Sequence, residues 1–202
     1  MDDMAAWGHT VTPQYATLIV WFVWFVSWML AALWSARVAK RVDWNSQFLY
    51  RVVTIAGAFL LFGVQTHSYR GPGRLWVLSD DVSWALVGVV TLGFLFAWWA
   101  RIYLGSLWSG WITKKAGHHI VDTGPYALVR HPIYTGLILS AFATAIQRGT
   151  LVALLGAAVM AWGFWIKARL EERFLREELG PEAYDSYRRR VPMLVPFGPK
   201  AA

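Results

Sequence analysis

The segment from residue 117 to residue 136 concentrates most of the polar chemistry of this chain. It reads GHHIVDTGPYALVRHPIYTG, and it holds three histidines, one arginine and two tyrosines between long apolar runs. Its Gly-Pro and His-Pro steps break regular helix, because proline lacks a backbone N–H and restricts the residue before it. The pattern therefore predicts a turning segment that offers side chains, and some of its own N–H and C=O groups, to a ligand.

Each of these polar residues also has a plain structural explanation. Adjacent histidines such as His118 and His119 cannot readily present both rings to one metal ion, and no carboxylate spacing matches them, so we expect no metal site. Arg130 can snorkel to lipid phosphates, and Tyr126 and Tyr134 can belong to an interfacial aromatic belt. The density of these groups in one segment favours a binding site in which the histidines donate hydrogen bonds.

Two adjacent carboxylates, Glu171 and Glu172, follow directly on an apolar run. Lysine or arginine is the more usual choice at the cytoplasmic boundary of a membrane span. The pair is either a solvated helix face, with Glu172 paired to Arg176 four residues later, or an acidic site for a cationic or hydroxyl-rich cofactor. If this helix folds back against the segment 117–136, both sets of polar residues face one pocket.

The composition indicates an integral membrane protein. The chain of 202 residues is 57% hydrophobic and only 15% charged, far from the average of soluble domains. Its net charge of +7 flanks the apolar runs, which indicates topology-setting charge and attraction to anionic lipid headgroups rather than nucleic-acid binding. The absence of cysteine excludes disulfides, thiol nucleophiles and cysteine metal sites. Asp2 and Asp3 replace the basic start of a signal peptide, so we expect the first apolar run to be a retained span.

Five apolar runs predict five transmembrane helices, at about residues 15–36, 52–69, 82–100, 132–147 and 149–166. The fourth run would cover only roughly 24 Å of a bilayer core of about 30 Å, which predicts a tight hairpin for the last two spans. The following sequence KARLEERFLREELG keeps Leu170, Phe174 and Leu175 on one face, as in an amphipathic cytoplasmic helix. Gly180-Pro181 should end that helix and begin a second short one.

This arrangement also predicts an orientation. It places Arg70, Arg74 and Arg148 on one side of the membrane and all the other lysine and arginine residues on the opposite side. The positive-inside rule then puts the N-terminus outside and the C-terminus in the cytoplasm. The segment 117–136 and the two glutamates share the cytoplasmic face.

The predicted fold class is therefore an all-α integral membrane protein whose cytoplasmic C-terminal helices complete a cofactor pocket. We expect a single structural unit with two functional parts. Residues 1–103 carry the first three spans on the lipid and substrate side, and residues 104–202 carry the cofactor-binding segment, the hairpin and the C-terminal helices. The substrate pocket should be lined by the first three spans.

These motifs resemble the isoprenylcysteine carboxyl methyltransferase and phospholipid methyltransferase superfamily of integral membrane enzymes. The resemblance covers about residues 104–196, and it rests on the pattern H-x-[LI]-V-x-x-G-x-Y-x-x-x-R-H-P-x-Y-x-G followed by E-E and R-V-P. The register of this pattern selects His118 rather than His119 as its leading histidine. The first two spans carry no signature of the family.

The resemblance implies S-adenosyl-L-methionine as the cofactor and assigns residues to it. The implied cofactor-binding residues are His118, His119, Ile120, Val121, Gly124, Tyr126, His131, Pro132, Ile133, Tyr134, Glu171 and Glu172. The implied catalytic residues are Arg130, His131 and Glu171, and the implied substrate-binding residues are Lys167 and Arg130. In the carboxyl methyltransferases an arginine stands where this chain has Lys167. A guanidinium group can bind a carboxylate through two parallel hydrogen bonds, whereas the lysine ammonium group acts as a single point charge. This difference weakens the case for a carboxylate acceptor.

The implied reaction is methyl transfer to a lipophilic or membrane-embedded acceptor. An isoprenylcysteine carboxylate, a phospholipid amine and a small thiol all stay open as acceptors. A carboxylate or thiolate needs no general base, whereas an amine must lose a proton to His118, His131 or Glu171. Two other functions stay open as well. One is an NADPH-dependent sterol-type membrane reductase with a similar Arg-His-Pro-x-Tyr turn, and the other is a non-catalytic membrane binding protein that retains the fold.

Overall fold

The chain folds as a bundle of apolar helices. The structure, a computed structural model, describes residues 11–33, 38–41, 44–63, 74–115 and 119–200. Within these ranges the α-helices are α1 (Pro13–Ala31), α2 (Trp44–Phe62), α3 (Asp80–Leu104), α4 (Pro125–Leu128), α5 (Pro132–Arg148), α6 (Leu151–Leu179) and α7 (Pro181–Arg190). A 3-10 turn, Gly105–Leu107, follows α3 directly.

Among the described residues, three helices are long and apolar enough to cross a membrane: Pro13–Ala31, Asp80–Leu107 and Leu151–Leu179. Helix α2 contributes a shorter apolar helix, Gln47–Phe62. Large apolar side chains of α1 point away from the protein, with Phe22 67% exposed and Leu30 65% exposed. Such faces suit a lipid environment, in which helices satisfy their own backbone hydrogen bonds. The prediction of a multi-pass helical membrane protein is confirmed.

Two predicted helix boundaries are wrong. Helix α2 begins at Trp44 rather than after Arg51, because the Arg51 guanidinium lies 3.8 Å from the ring centroid of Trp111, so its charge is accommodated within the helix. The run 149–166 and the amphipathic helix after it are one continuous helix, α6, since no glycine or proline interrupts the chain between Gly163 and Gly180.

Helix α5 lies at the centre of the bundle, and most of its side chains are buried. Small residues let it approach its neighbour α3 closely. A Cβ atom added at Gly136 would overlap the carbonyl oxygen of Gly93 in α3. Helices α2 and α6 meet in the same way, since a Cβ at Gly156 would lie 2.5 Å from the backbone nitrogen of Leu61. Small residues at helix contacts are typical of membrane bundles.

The segment before α3 packs against the turn between α5 and α6. The backbone N–H of Leu75 donates to the Gly149 carbonyl at 2.6 Å, and the Trp76 indole N–H donates to the Ile146 carbonyl at 2.9 Å. Arg74 and Arg148 therefore lie at the same end of the bundle, as the predicted arrangement requires. Arg70 lies outside the described residues.

The opposite end of the bundle carries two short strands that the all-α prediction did not include. Strand β1 (Val38–Arg41) pairs antiparallel with β2 (Thr113–Lys115), with Lys40 opposite Lys114. Nearby, the buried Arg101 donates through Nη2 to the Ala31 carbonyl at 2.7 Å, and its guanidinium lies 4.3 Å from the Trp108 ring centroid. These contacts join the C-terminal ends of α1 and α3 to the segment that follows α3.

Candidate active site

A cavity of about 340 Å³ lies at the end of the bundle where α1 and α3 end. This volume falls within the range of about 300–1,000 Å³ that small-molecule sites use. Several separate parts of the sequence meet around it: the end of α1, the chain after α3, the segment 119–134, the C-terminal part of α6, and α7. The predicted site residues that line it are His119, Ile120, Val121, Tyr126, Arg130, His131, Pro132, Ile133, Tyr134, Lys167 and Glu171.

Two other predicted site residues, Gly124 and Glu172, are described and do not line this cavity. His118 lies outside the described residues, so it is His119 that the structure places in the wall. Glu172 is buried behind the wall at 5% exposure. Gly124 sits in a turn with φ of 57°, where a Cβ atom would come within 2.7 Å of the Tyr103 ring. Both the backbone conformation and the close packing therefore require glycine at this position.

Arg130 and His131 form the turn that leads into α5. His131 has φ −125° and ψ 64°, a non-helical conformation consistent with its place before Pro132. The backbone N–H groups of Arg130 and His131 donate to the carbonyls of Pro192 (2.9 Å) and Met193 (3.1 Å). The expectation that this segment offers its backbone to a ligand is therefore wrong for these two N–H groups, because both already donate hydrogen bonds to carbonyl groups of the C-terminal segment.

The Arg130 side chain is bound mainly by protein groups. Its Nε donates to Glu172 Oε1 at 2.6 Å, and its Nη1 donates to the carbonyl oxygens of Arg188 (3.0 Å) and Val191. Arg188 Nε also lies 3.4 Å from Glu172 Oε2. The buried Glu172 carboxylate therefore joins the turn before α5 to α6 and to the end of α7.

Glu172 does not form the predicted helix pair with Arg176. Arg176 instead makes a bidentate contact with Asp185 in α7, from Nε at 2.9 Å and 3.0 Å and from Nη2 at 2.8 Å. The Arg176 side chain is exposed and the Glu172 side chain is buried, so these two residues form no ion pair despite their i,i+4 spacing.

The imidazole of His131 lies between the two glutamates. Its Nε2 is 3.2 Å from Glu172 Oε1, and its Nδ1 is 3.8 Å from Glu171 Oε2. The ring stacks on Tyr134, with centroids 5.3 Å apart and planes 5° apart. The two carboxylates and the stacked ring together fix the position of this imidazole in the wall of the cavity.

Tyr134 links the segment 117–136 to Glu171. Its hydroxyl donates to Glu171 Oε2 at 2.6 Å, a short charge-assisted bond, and its other ring neighbour is Phe164 at 5.4 Å. Glu171 thus faces the cavity beside His131 and Tyr134, while Glu172 faces the protein interior. Glu171 and polar residues of the segment 119–134 therefore line one cavity, whereas Glu172 does not line it.

Lys167 brings a single cation to the same wall. Its Nζ donates to the Gly110 carbonyl at 3.3 Å and lies 5.1 Å and 5.5 Å from the ring centroids of Tyr134 and Tyr50. Both ring distances are within the range of a cation–π contact. Lys167 is therefore held between α2, α5 and the segment after α3, one helical turn before Glu171.

Two further tyrosines close the wall on the side of α7. The Tyr187 hydroxyl donates to the Tyr126 carbonyl at 2.7 Å, and the Tyr126 hydroxyl donates to the Ala100 carbonyl at 3.4 Å. Burial raises the pKa of both phenols well above their ordinary value. Both hydroxyls therefore stay neutral and act as hydrogen-bond donors.

The sequence did not single out several residues of the wall. They include Trp24 and Trp28 of α1, Trp108 and Trp111 after α3, and Tyr184 and Tyr187 of α7. The expectation that the first three spans line the pocket holds for α1 and for Leu104 at the end of α3, but no α2 residue is among the described lining residues. The spacing of Trp24 and Trp28 by four residues places them on one helix face, but it does not show that this face meets a pocket.

Comparisons with known proteins bear on this site. Residues 86–177 match the isoprenylcysteine carboxyl methyltransferase (ICMT) family. Methanethiol S-methyltransferase 1 of Bradyrhizobium diazoefficiens is 42% identical over 180 residues, which are 81% of this chain and 58% of the relative. Methanethiol S-methyltransferase 2 of the same organism is 35% identical over 136 residues, covering 62% of this chain and 51% of the relative.

A protein-S-isoprenylcysteine O-methyltransferase of Schizosaccharomyces pombe is 31% identical over 116 residues, covering 56% of this chain and 49% of the relative. The chain spans about half the length of curated relatives such as this one. The resemblance predicted from the motifs is confirmed by these matches.

Proposed function

Because residues 86–177 of this chain match the isoprenylcysteine carboxyl methyltransferase family, we propose that the protein is a membrane methyltransferase that uses S-adenosylmethionine and methylates a lipophilic acceptor. One observation carries the proposal. The motif residues of segment 119–134 and of α6, which are far apart in sequence, line a single cavity of about 340 Å³.

The proposed membrane arrangement has five spans, α1, α2, α3, α5 and α6, with the cavity on the cytoplasmic side. Helix α5 has 17 residues and would reach roughly 26 Å, which suits a span enclosed by longer helices. Arg74 and Arg148 lie at the end away from the cavity, and the basic residues of the two strands lie at the cavity end. This distribution supports an N-terminus outside and a C-terminus in the cytoplasm.

The lining residues fit the proposed cofactor. S-adenosylmethionine, when bound, supplies a methyl group carried on a positively charged sulfur. Glu171 and the aromatic ring of Tyr126 suit a cationic ligand, because carboxylates and aromatic rings both attract positive charge. Apolar side chains such as Ile120 and Leu175 suit the flat, less polar part of such a molecule, and His119 adds a polar group.

The residues named as catalytic take different roles in this proposal. Glu171 and the ring of His131 contact the ligand, and Tyr134 orients Glu171 through its hydroxyl. Arg130 is mainly a positioning residue, since its Nε and Nη1 bind Glu172 and two backbone carbonyls. The aromatic side chains of the wall would limit the access of water to a bound ligand, which strengthens the electrostatic contacts inside the cavity.

Lys167 supports a thiol as the acceptor. Its single ammonium group lacks the planar fork that binds a carboxylate in bidentate fashion, whereas a thiolate is a one-atom anion that a single ammonium can pair. A neighbouring cation also lowers the pKa of a thiol, so Lys167 favours the reactive thiolate without a separate base. The curated relatives named as methanethiol S-methyltransferases agree with this choice.

Calorimetry on the detergent-purified protein tests the cofactor site directly. We expect S-adenosylhomocysteine binding that Glu171→Ala and His131→Ala both weaken. Glu177→Ala is the matched control, because this exposed glutamate lies on the same helix and does not line the cavity. Unchanged affinity in both site variants would exclude the proposed cofactor site.

A further inference from the structure

The chain after α7 forms a turn that exposes a large apolar side chain. The backbone N–H of Gly198 donates to the Val195 carbonyl at 2.9 Å, which closes a four-residue turn. We call residues 195–198 the C-terminal turn. Val195 and Phe197 are 64% and 97% exposed, and Pro196 between them is exposed as well. The Phe197 ring therefore contacts almost nothing in the described part of the protein.

The backbone of the C-terminal turn is strained at Phe197. Its φ is 61°, and it is the only residue other than glycine with a positive φ among the described residues. Proline at the second position and a positive φ at the third are features of a type II turn, which normally carries glycine or asparagine at that third position. The conformation is unfavourable for a bulky aromatic residue. Packing within the protein does not account for the choice of phenylalanine, because the ring is almost fully exposed.

Hydrogen bonds fix the chain before this turn to the beginning of α5. Thr135 Oγ1 donates to the Leu194 carbonyl at 2.7 Å, and the backbone N–H of His131 donates to the Met193 carbonyl at 3.1 Å. Thr135 lies in the first turn of α5, roughly 5 Å along the helix from its first residue. The C-terminal turn begins at the next residue, Val195. It therefore lies near the level at which α5 enters the bilayer in the proposed membrane arrangement.

Thr135 stands on the side of α5 that faces lipid. Most of this helix is buried, but Leu139 and Ile146 are 46% and 39% exposed. Leu139 follows Thr135 by four residues and Ile146 follows Leu139 by seven, which places the three residues on one side of the helix. The C-terminal turn therefore continues this exposed apolar side at its cytoplasmic end.

Exposed basic residues flank the turn in the sequence. Arg189 precedes it in the last turn of α7, and Lys200 follows it. Anionic lipid headgroups on the cytoplasmic side attract such cations, and aromatic rings favour the level of the headgroups. An apolar tip between cations suits the boundary between headgroups and acyl chains. The depth of the turn favours this boundary over a soluble partner protein.

We propose that the C-terminal turn binds the membrane interface on the cytoplasmic side, with the Phe197 ring inserted among the lipids at the headgroup boundary. The carbonyls of Pro192 and Met193, just before the turn, accept the backbone N–H groups of Arg130 and His131. The anchor thus holds against the bilayer the segment that supports the cavity wall. This inference rests on the proposed membrane arrangement and does not depend on the reaction.

Spin labelling tests the anchor, and the full chain suits it because it contains no cysteine. A nitroxide on Val195→Cys reports the depth of the turn with Phe197 in place. Oxygen concentrates in lipid and a nickel chelate stays in water. In vesicles of phosphatidylcholine and phosphatidylglycerol, we expect the ratio of oxygen to nickel accessibility to be several-fold higher than at Ser186→Cys, an exposed site on α7. Leu139→Cys gives the reference value for a site in lipid.

Replacing the ring then tests Phe197 itself. Phe197→Ser, combined with Val195→Cys, should lower the accessibility ratio toward the Ser186→Cys value. Phe197→Trp should keep the ratio high, because an indole favours the same boundary. An unchanged ratio at Leu139→Cys in the Phe197→Ser background shows that the bundle is folded.

Three results would overturn the anchor. The first is a ratio at Val195→Cys equal to that at Ser186→Cys with Phe197 in place, which puts the turn in water. The second is low accessibility to both reagents, which indicates contact with a second copy of the chain. The third is a high ratio that Phe197→Ser does not reduce. No measurement here needs methyl transfer, so failure of the anchor and failure of the proposed function are distinguishable.

Discussion

Arg130 Nε and Glu172 Oε1 are joined by a 2.6 Å hydrogen bond although 42 residues separate them in the sequence. Both side chains are almost completely removed from solvent, at 3% and 5% exposure. The bond anchors the turn before α5 to α6, and it thereby sets where His131 and Tyr134 stand in the cavity wall.

Arg130→Ala should destabilise the protein strongly. It removes the closer of the two guanidinium groups beside the buried Glu172 carboxylate, since Arg188 Nε lies farther away at 3.4 Å. Breaking a buried ion pair costs about 3–5 kcal/mol. Thermal unfolding in detergent would measure the change. Arg176→Ala is the control, because it breaks an exposed ion pair with Asp185 and should shift the transition far less. Equal shifts for the two variants would contradict the assigned role of Arg130.

Tyr134→Phe should weaken S-adenosylhomocysteine binding by about tenfold. The change removes only the hydroxyl that donates to Glu171 and keeps the ring stacked between His131 and Phe164, so its effect is that of one charge-assisted hydrogen bond. Calorimetry measures it. Tyr103→Phe removes an exposed hydroxyl that bonds Thr123 outside the cavity and should leave the affinity unchanged.

Lys167→Met should impair use of the acceptor rather than of the cofactor. It removes the cation but keeps a long apolar stem, so we expect the KM for methanethiol to rise by about tenfold or more, as on loss of a hydrogen bond to a charged group. Affinity for S-adenosylhomocysteine should stay the same. Arg169→Met, two residues later and outside the cavity, is the control for losing a cation from α6. Weakened cofactor affinity with an unchanged KM would reverse the assignment.

Gly136→Ala should destabilise the contact between α3 and α5. The added methyl group meets the carbonyl oxygen of Gly93, which is backbone and cannot move aside alone, so we expect a cost of about 1–3 kcal/mol. Gly88→Ala is the control in α3, because nothing lies within 4 Å of its Cβ position. That control should be neutral or slightly stabilising, since alanine favours helix. Thermal unfolding of both variants in parallel gives the comparison.

The bond between Asp185 and Arg176 should make stability depend on pH. The hydrogen bond from Arg176 lowers the pKa of the Asp185 carboxyl below its ordinary value. A lowered pKa in the folded state adds stability above the unfolded pKa, and this stability is lost as the pH falls through the folded pKa. Asp185→Asn should therefore be less stable than the unmodified protein at neutral pH, and the gap should close below about pH 4. A gap that persists at low pH would show that the carboxylate charge is not responsible.

The sequence predicted best those parts of the fold that glycine and proline punctuate. Helix α7 begins at Pro181 and α5 begins at Pro132, as expected from the Gly-Pro and His-Pro steps. The α6 boundary at Lys167 was wrong because a change from apolar to charged composition marks where a helix leaves lipid, not where its backbone hydrogen bonds end.

The sequence could not show that Glu171 lines the cavity while Glu172 is buried behind its wall. Adjacent residues on a helix point about 100° apart, so the two carboxylates face different surroundings. Which one is buried depends on Arg130, whose other partners are carbonyls of Arg188 and Val191, near the end of the chain. A contact between residues so far apart in the sequence leaves no local sequence pattern that could predict it.

The tryptophans of α1 escaped prediction for a different reason. The first span is apolar around its whole circumference, so hydrophobicity cannot separate the side that faces lipid from the side that faces the cavity. Only packing against Phe94 and the segment after α3 makes Trp24 and Trp28 part of a binding site.

The hydrogen bonds from the turn before α5 to residues 191–194 have a consequence for biosynthesis. Arg130 reaches the Val191 carbonyl, and Thr135 Oγ1 reaches the Leu194 carbonyl at 2.7 Å, across 61 and 59 residues of sequence. At 5–20 residues per second, the ribosome needs roughly three to twelve seconds to make that stretch. During this interval the turn lacks its hydrogen-bond partners. The wall of the cavity is therefore completed only after the hairpin of α5 and α6 has been translated.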